Sequence, residues 1–230
     1  MTDIVLVPGG FHGAWYFSPI LDDIRAAGHN VHAVTLTGLG DRRHLASASV
    51  NLDTHIADVL AVIEHEKLED VVLLGHSYAG MVIAGVADRI PHKIKALVHL
   101  DALVPENGES IFSLMPDVAI QVFCATTTDG IGVPPPPGLD ARTAHHPLAS
   151  FLQPVRLGGA EKTIARKIFV WCGRQSQGQF GAIHDRLKSD PGWEVYRVPF
   201  GHDIMNESPG TVTSLILATA SGQPFLAPDA

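Results

Sequence analysis

The chain is poor in cysteine, with two in 230 residues, Cys124 and Cys172. They stand far apart, and neither belongs to a CxxC pair or to a Cys/His ligand spacing. A disulfide framework and a metal module are therefore excluded as readings, and both thiols are expected to be free and buried. Long apolar runs are also missing. No stretch of eighteen apolar residues occurs, and "MTDIVLVPGG" has no positive region ahead of its apolar part. Those absences predict neither a membrane span nor a secretory signal, and they place the protein in the cytoplasm. Positive charge is short as well: Lys and Arg number 16 against 24 Asp and Glu, for a formal charge of −8. The largest basic cluster is Arg42-Arg43-His44, which argues against nucleic acid or a membrane as partner. Small neutral ligands remain.

What the chain does have is a 46% hydrophobic content, enough for one packed interior in a single domain spanning 1–230. Apolar runs alternate in kind along it. "IVLV", "NVHAVTL", "VVLL", "IKALVHLDALV", "KIFVWCG" and "WEVYRVPF" read as strands. "SPILDDIRAAGH", "LDTHIADVLAVIEHEKL", "GAIHDRLKSD" and "PGTVTSLILATA" have helical spacing, the first stopping at Gly28. Strands and helices at this pitch predict an α/β fold with a mostly parallel sheet covered by helices on both faces. Ligands in such sheets gather at the carboxyl ends of the strands.

Residues of about 103–165 break the rhythm, with four consecutive prolines in "GVPPPPG" that fit neither a helix interior nor a central strand. A segment of that length is a lid or a loose surface excursion. Phe112, Leu114, Met115, Phe123 and Phe151 supply enough apolar material to pack down, which favours a lid. The tail "SGQPFLAPDA" reads as a frayed end.

One junction carries chemistry. In "VVLLGHSYAGMVIAGVADRI" a buried strand runs into Gly75-His76-Ser77 and a helix begins almost at once, so Ser77 sits on a sharp strand-to-helix turn. Such a serine resembles the nucleophile elbow of the α/β-hydrolases, although the second glycine of G-x-S-x-G is displaced by one, to Gly80, and Ala79 takes its place. An ordinary serine in a βα loop is the plain alternative. A serine hydroxyl needs a base to take its proton. Of the thirteen histidines, His202 in "VPFGHDIMNES" follows a strand and a glycine late in the chain, whereas His29, His65 and His92 read as solvated surface. An oxyanion hole would come from the amides of Tyr78, next to the serine, and Gly10, in the glycine-rich turn after the first strand. That turn, "PGGFHGAW", is neither G-x-G-x-x-G nor a P-loop, which sets a phosphate site aside.

With "VLVPGGFHGAW", "LLGHSYAG" and "GHDIM" together, the chain resembles the small α/β-hydrolases that include plant methylesterases, plant hydroxynitrile lyases and bacterial esterases. The resemblance spans nearly the whole length. It implies the α/β-hydrolase fold and a serine esterase that works without cofactor or metal, under a lid over an apolar pocket. Its bacterial branch acts on bulky esters such as pyrethroids and carbamates. The acid departs from the pattern: many members carry an aspartate after the strand matching "KIFVWCG", but here that loop reads Arg174-Gln175-Ser176-Gln177-Gly178. Asp185 lies too far down the next helix. Some α/β-hydrolases draw the acid from the strand after the nucleophile's helix, and here that strand ends at Asp101. Asp101 is then the partner of His202; the alternative is a Ser77–His202 dyad.

The function expected is hydrolysis of a small-molecule carboxylic or carbamate ester through an acyl-enzyme on Ser77. A hydroxynitrile lyase is the nearest rival, but family members with that activity carry threonine, a carboxylate and lysine where this chain has Gly9, His76 and Asp203. A ligand-binding receptor on the same scaffold is a reading from another class, and a cofactor-free dioxygenase a remote one. Phe11, His12, Phe112, Leu114, Met115 and Met205 are the expected pocket residues, suited to an apolar or aromatic guest.

Overall fold

Short β-branched runs flanked by amphipathic segments become a six-stranded parallel sheet with helices on both faces. The computed structural model describes residues 1–174 and 178–228. Its strands are β1 (Asp3–Val7), β2 (Asn30–Ala33), β3 (Val71–His76), β4 (Ile94–Leu100), β5 (Gly132–Val133), β6 (His146–Pro147), β7 (Lys167–Cys172) and β8 (Glu194–Val198). The main sheet has the order β2-β1-β3-β4-β7-β8, and every pair in it is parallel. β5 and β6 form a separate antiparallel pair.

The helices are α1 (Ser18–Ala26), α2 (Leu52–His65), α3 (Ala79–Arg89), α4 (Ile111–Leu114), α5 (Asp117–Thr126), α6 (Leu148–Leu152), α7 (Gln179–Leu187), α8 (Ile204–Glu207) and α9 (Pro209–Ala220). Local chemistry sets several ends. Asn51 accepts from the Thr54 amide in a capping box that starts α2, and Gly28, at φ +84°, takes the left-handed turn that ends α1.

Because side chains alternate across a strand, each strand feeds two cores. Val5, Val7, Val71, Leu73, Leu97 and Phe169 point to the face covered by α2, α3 and α7. Ile4, Leu6, Val72, Leu74, Val98 and Val170 point to the face covered by α1, α8 and α9. All six residues of β3 are buried, so the central strand is a fixed platform for whatever follows it.

The segment between β4 and β7 lies on the α2–α3 side. It packs down through Ile111, Val133, Phe151, Val155 and Leu157, which are buried, and through Phe112, Leu114, Met115 and Phe123, which are partly so. α5 contributes no buried residue, and Val118 and Val122 are exposed. Two expectations are corrected here. Cys124, on α5, is exposed, and only Cys172 is buried. The tail is not frayed throughout: Phe225 is buried on the α9 side, its ring centroid 5.3 Å from that of Tyr196. No helix among the described residues is long and apolar enough to cross a membrane.

Candidate active site

Ser77 leaves the end of β3 at φ +55°, in the left-handed region that a non-glycine residue adopts only under constraint. Small neighbours supply the constraint. A Cβ on Gly9 would stand 3.0 Å from Ser77 Cβ, and one on Gly75 would stand 2.9 Å from the Ala79 carbonyl oxygen. Gly80 explains the displaced glycine of the motif: a Cβ there would meet the Leu103 carbonyl oxygen at 1.9 Å. The Leu103 amide in turn donates to the Ser77 carbonyl at 3.1 Å, so the chain leaving β4 is pressed against the elbow. Phe11 and Asp101, at φ +70° and +43°, share the left-handed conformation, and both border the same site. Strain of this kind costs about 1–3 kcal/mol per residue and collects where geometry serves chemistry.

Three side chains expected from the sequence come together. His202 Nδ1 lies 2.6 Å from Asp101 Oδ2, and His202 Nε2 lies 2.9 Å from Ser77 Oγ. A carboxylate only accepts, so Nδ1 carries the proton and Nε2 is free to accept from the serine hydroxyl. Asp101 is held on its other side, its Oδ1 accepting from the Cys172 amide at 2.9 Å. The aspartate is buried, whereas the His202 side chain is 44% exposed and therefore reachable from solvent. Phe180 stacks on the imidazole at 5.0 Å between centroids, with planes 13° apart. Asp185 pairs instead with Lys188 and His184 on the surface. In the Arg174–Gly178 loop, residues 175–177 lie outside the described residues.

The Gly10 and Tyr78 amides have no hydrogen-bond partner among the described residues, and both residues line the cavity beside Ser77. The turn that holds Gly10 is braced from behind. The Phe11 amide donates to His146 Nδ1 at 3.2 Å, which makes Nδ1 the bare nitrogen. His146 Nε2–H then donates to Ser150 Oγ at 2.8 Å, and Ser150 donates to the Pro147 carbonyl at 2.8 Å. Next to it, His55 Nε2–H donates to the Thr37 carbonyl at 2.9 Å and its Nδ1 accepts from the Tyr78 hydroxyl at 2.8 Å. Burial keeps both imidazoles neutral, pushing His146 well below the ordinary histidine range and His55 down to about 4.

A cavity of about 290 Å³ opens over Ser77, lined largely by apolar side chains. Phe11, His12 and Met115 border it as expected. Three other expected pocket residues do not. Phe112 packs against the core one helical position away, Leu114 faces a neighbouring cleft beside Gln179, and Met205 is buried on the opposite face of the sheet with Val212 and Ile216. In their place stand Leu103, Ile111, Phe123, Leu139, Phe151 and Phe180. Sequence offered no sign of which side of a one-turn helix such as α4 would face the cavity. Buried histidines were missed too: His55, His76, His99 and His146 are all buried, and only their tertiary partners reveal it. Among the described residues no group of three or more His, Cys, Asp or Glu is placed to hold a metal ion.

A parallel sheet whose central strand ends in a strained serine, with a histidine and an aspartate at neighbouring strand ends, is the architecture of a hydrolase. The model of the alpha/beta hydrolase family matches residues 4–227, and the chain belongs to that family. A carbendazim hydrolyzing esterase of Nocardioides sp. is 38% identical over 240 residues, covering 95% of this chain and 99% of that one. A pyrethroid hydrolase of Sphingobium wenxiniae is 33% identical over 111 residues, 47% of this chain and 38% of that one. Among solved structures, an extracellular alpha/beta-hydrolase from a Paenibacillus species superposes with a TM-score of 0.81 at 18% identity, covering 96% of this chain and 99% of that one. The chain is an esterase-type hydrolase.

Proposed function

We propose that the protein hydrolyses a small carboxylic or carbamate ester bearing an apolar or aromatic group, through an acyl-enzyme on Ser77. The observation that carries this reading is the unbroken line Asp101–His202–Ser77, with spacings of 2.6 and 2.9 Å, at the floor of an apolar cavity. Ser77 Oγ attacks the carbonyl carbon as its proton passes to His202 Nε2. Asp101 fixes the tautomer and stabilises the imidazolium. The amides of Gly10 and Tyr78 receive the negative charge that forms on the carbonyl oxygen, at the N-terminus of α3. His202 gives its proton to the leaving alkoxide, and water, deprotonated by the same imidazole, releases the acid and restores Ser77. No group beyond the chain and water is needed.

The segment 103–165 serves as the lid, because Leu103, Ile111, Met115, Phe123, Pro136, Leu139 and Phe151 form the cavity's outer wall. The carbamate half of the proposal draws support from the full-length similarity to a carbendazim hydrolyzing esterase. A chromogenic ester and a fluorophosphonate probe test the reading. Wild type should turn over the ester and be labelled at Ser77, and Ser77→Ala should do neither while keeping its fold. An unlabelled wild type, or a Ser77→Ala protein with most of its activity, would overturn it; no turnover of any ester would favour a ligand receptor.

A further inference from the structure

The cavity over Ser77, at about 290 Å³, stands at the lower end of the roughly 300–1,000 Å³ that small-molecule sites occupy. On one side its wall is thin. Leu103, Met115 and Gln179 line it and also line a second hollow of about 460 Å³, the cleft between α4 and α7, whose other walls include Leu114, Pro116, Ala182 and Ile183. The two hollows meet at a seam, where Gln179 Nε2 donates to Met115 Sδ at 3.3 Å. A thioether is a weak acceptor, and methionine is unbranched and adaptable, so this contact yields readily to an apolar chain. The surfaces are within reach of a ligand: Leu114, Met115 and Gln179 are partly exposed, and Pro116 and Ala182 are exposed. Arg186, which borders the cleft, is taken up by the Val104 carbonyl and Glu106, so the lining left for a chain is apolar.

Position in the sheet decides which half of the ester the cleft takes. In the strand order β2-β1-β3-β4-β7-β8, Ser77 follows β3, the Gly10 amide follows β1 on one side of it, and Gln179 and Phe180 follow β7 on the other. The carbonyl oxygen is drawn towards Gly10. The leaving oxygen must stand at His202 Nε2, and Phe180 lies flat on that imidazole at 5.0 Å. Gln179 is the adjoining residue. An alcohol portion that extends from the leaving oxygen past Phe180 therefore meets the seam, while the acyl portion keeps to the wall of Phe11, Phe123 and Phe151.

We propose that the cleft beyond Met115 and Gln179 is a subsite for the alcohol half of the substrate, so that the preferred ester is one of an elongated apolar alcohol, its chain lying between α4 and α7. This rests on hydrolysis at Ser77 and narrows its substrate class. Met115 and Gln179 are here specificity residues: they part to admit a long chain and stay closed over a short one.

The test uses two isomers, octyl acetate and ethyl octanoate, which carry a long chain on opposite sides of the scissile bond. Ala182→Trp, at an exposed position of α7, fills the cleft, and Met115→Trp plugs the seam. The ratio of kcat/KM for octyl acetate to that for ethyl octanoate should fall at least about tenfold in each variant, since several methylenes lose their burial. Calorimetry supplies a readout without turnover. Ser77→Ala should bind octyl acetate more tightly than its isomer, and the preference should fall about tenfold or more in Ser77→Ala/Ala182→Trp. Unchanged ratios in both variants, with native circular dichroism, would overturn the subsite while leaving the hydrolase reading standing. A ratio that rises would give the cleft to the acyl half and overturn the assignment equally. If no ester is turned over and Ser77 is unlabelled, the hydrolase reading fails instead, and the calorimetric comparison decides the subsite by itself.

Discussion

His76 Nε2 donates to the main-chain carbonyl of His202 at 2.9 Å, and the two rings lie 4.7 Å apart. His76 is the last residue of β3 and the neighbour of Ser77, so the strand end that presents the serine also holds the backbone of the histidine beside it. The residue before the serine is thereby a brace. Burial keeps it neutral, well below the ordinary histidine range, and its stacking on Tyr16 at 5.1 Å leaves the ring no other seat.

His76→Phe preserves the stacking area and deletes the donor, leaving the His202 carbonyl unpaired. An unsatisfied buried group costs about 1–3 kcal/mol, to be read as a shift in the urea midpoint. Ester hydrolysis should lose about tenfold or more in kcat, with KM nearly unchanged, because proton transfer suffers and the cavity does not. A wild-type kcat in a destabilised His76→Phe protein would contradict the brace.

Asp101→Asn has a determined outcome, because the Cys172 amide fixes the orientation of the side chain. The asparagine oxygen must face that N–H, as Asp101 Oδ1 does at 2.9 Å. Its NH2 group then points at His202 Nδ1, which can no longer be protonated, so Nε2 carries the proton and cannot take one from Ser77. A kcat loss of order 10⁴, the value for the best-studied triad, is expected with little change in stability. Asp185→Asn, altered on the surface, should keep full activity. If Asp101→Asn is mild, Ser77 and His202 act as a dyad.

Much of this arrangement is legible in the sequence, and for a physical reason. Ser77, His202 and Asp101 sit at strand ends, and strand ends are marked locally by the switch from a β-branched run to glycine and turn residues. The strand-helix alternation is equally local, which is why α9 begins and ends where "PGTVTSLILATA" does. The cavity wall is not local. Phe123 reaches it and Phe112 does not, because the packing of α4 and α5 against Phe151 decides which aromatic turns inward. Met205 follows His202 by three residues yet lies under the sheet, since α8 turns its apolar side to α9. His55, His99 and His146 gave no signal at all; their burial depends on carbonyls and hydroxyls distant in sequence.

Those histidines set a stability profile. His55 and His99 are each lowered to about 4 by burial, against 6.5 for the free side chain. Below pH 6.5 the unfolded chain takes up protons that the native state refuses until about pH 4, so stability is fully present above pH 6.5 and is lost as pH falls through that window. The loss is of order 3 kcal/mol per histidine at its limit. Urea titrations at pH 7 and pH 4.5 should show it. His99→Gln, which retains an N–H for the Leu103 carbonyl that His99 Nδ1 meets at 2.8 Å, should flatten the profile. An unchanged slope in that variant would mean that His99 is not among the groups responsible.

The last prediction concerns His146, which touches no reacting atom and yet faces the turn that carries the Gly10 amide. Phe11 holds φ +70°, and its N–H is tied to His146 Nδ1 at 3.2 Å across 135 positions of sequence. With that tie removed, the turn can relax toward unstrained backbone, and the neighbouring Gly10 amide loses its aim at the forming oxyanion. An oxyanion donor is worth about 10²–10³ in kcat, so a donor that is misdirected rather than deleted should cost His146→Ala about 10–10². His146→Gln, whose side-chain oxygen can accept from the Phe11 amide, should recover part of it. A trifluoromethyl ketone, which forms the tetrahedral oxyanion on Ser77, separates positioning from general damage. In His146→Ala its inhibition constant should rise by the same factor as kcat falls, whereas a partly unfolded preparation would show fewer active sites with an unchanged constant.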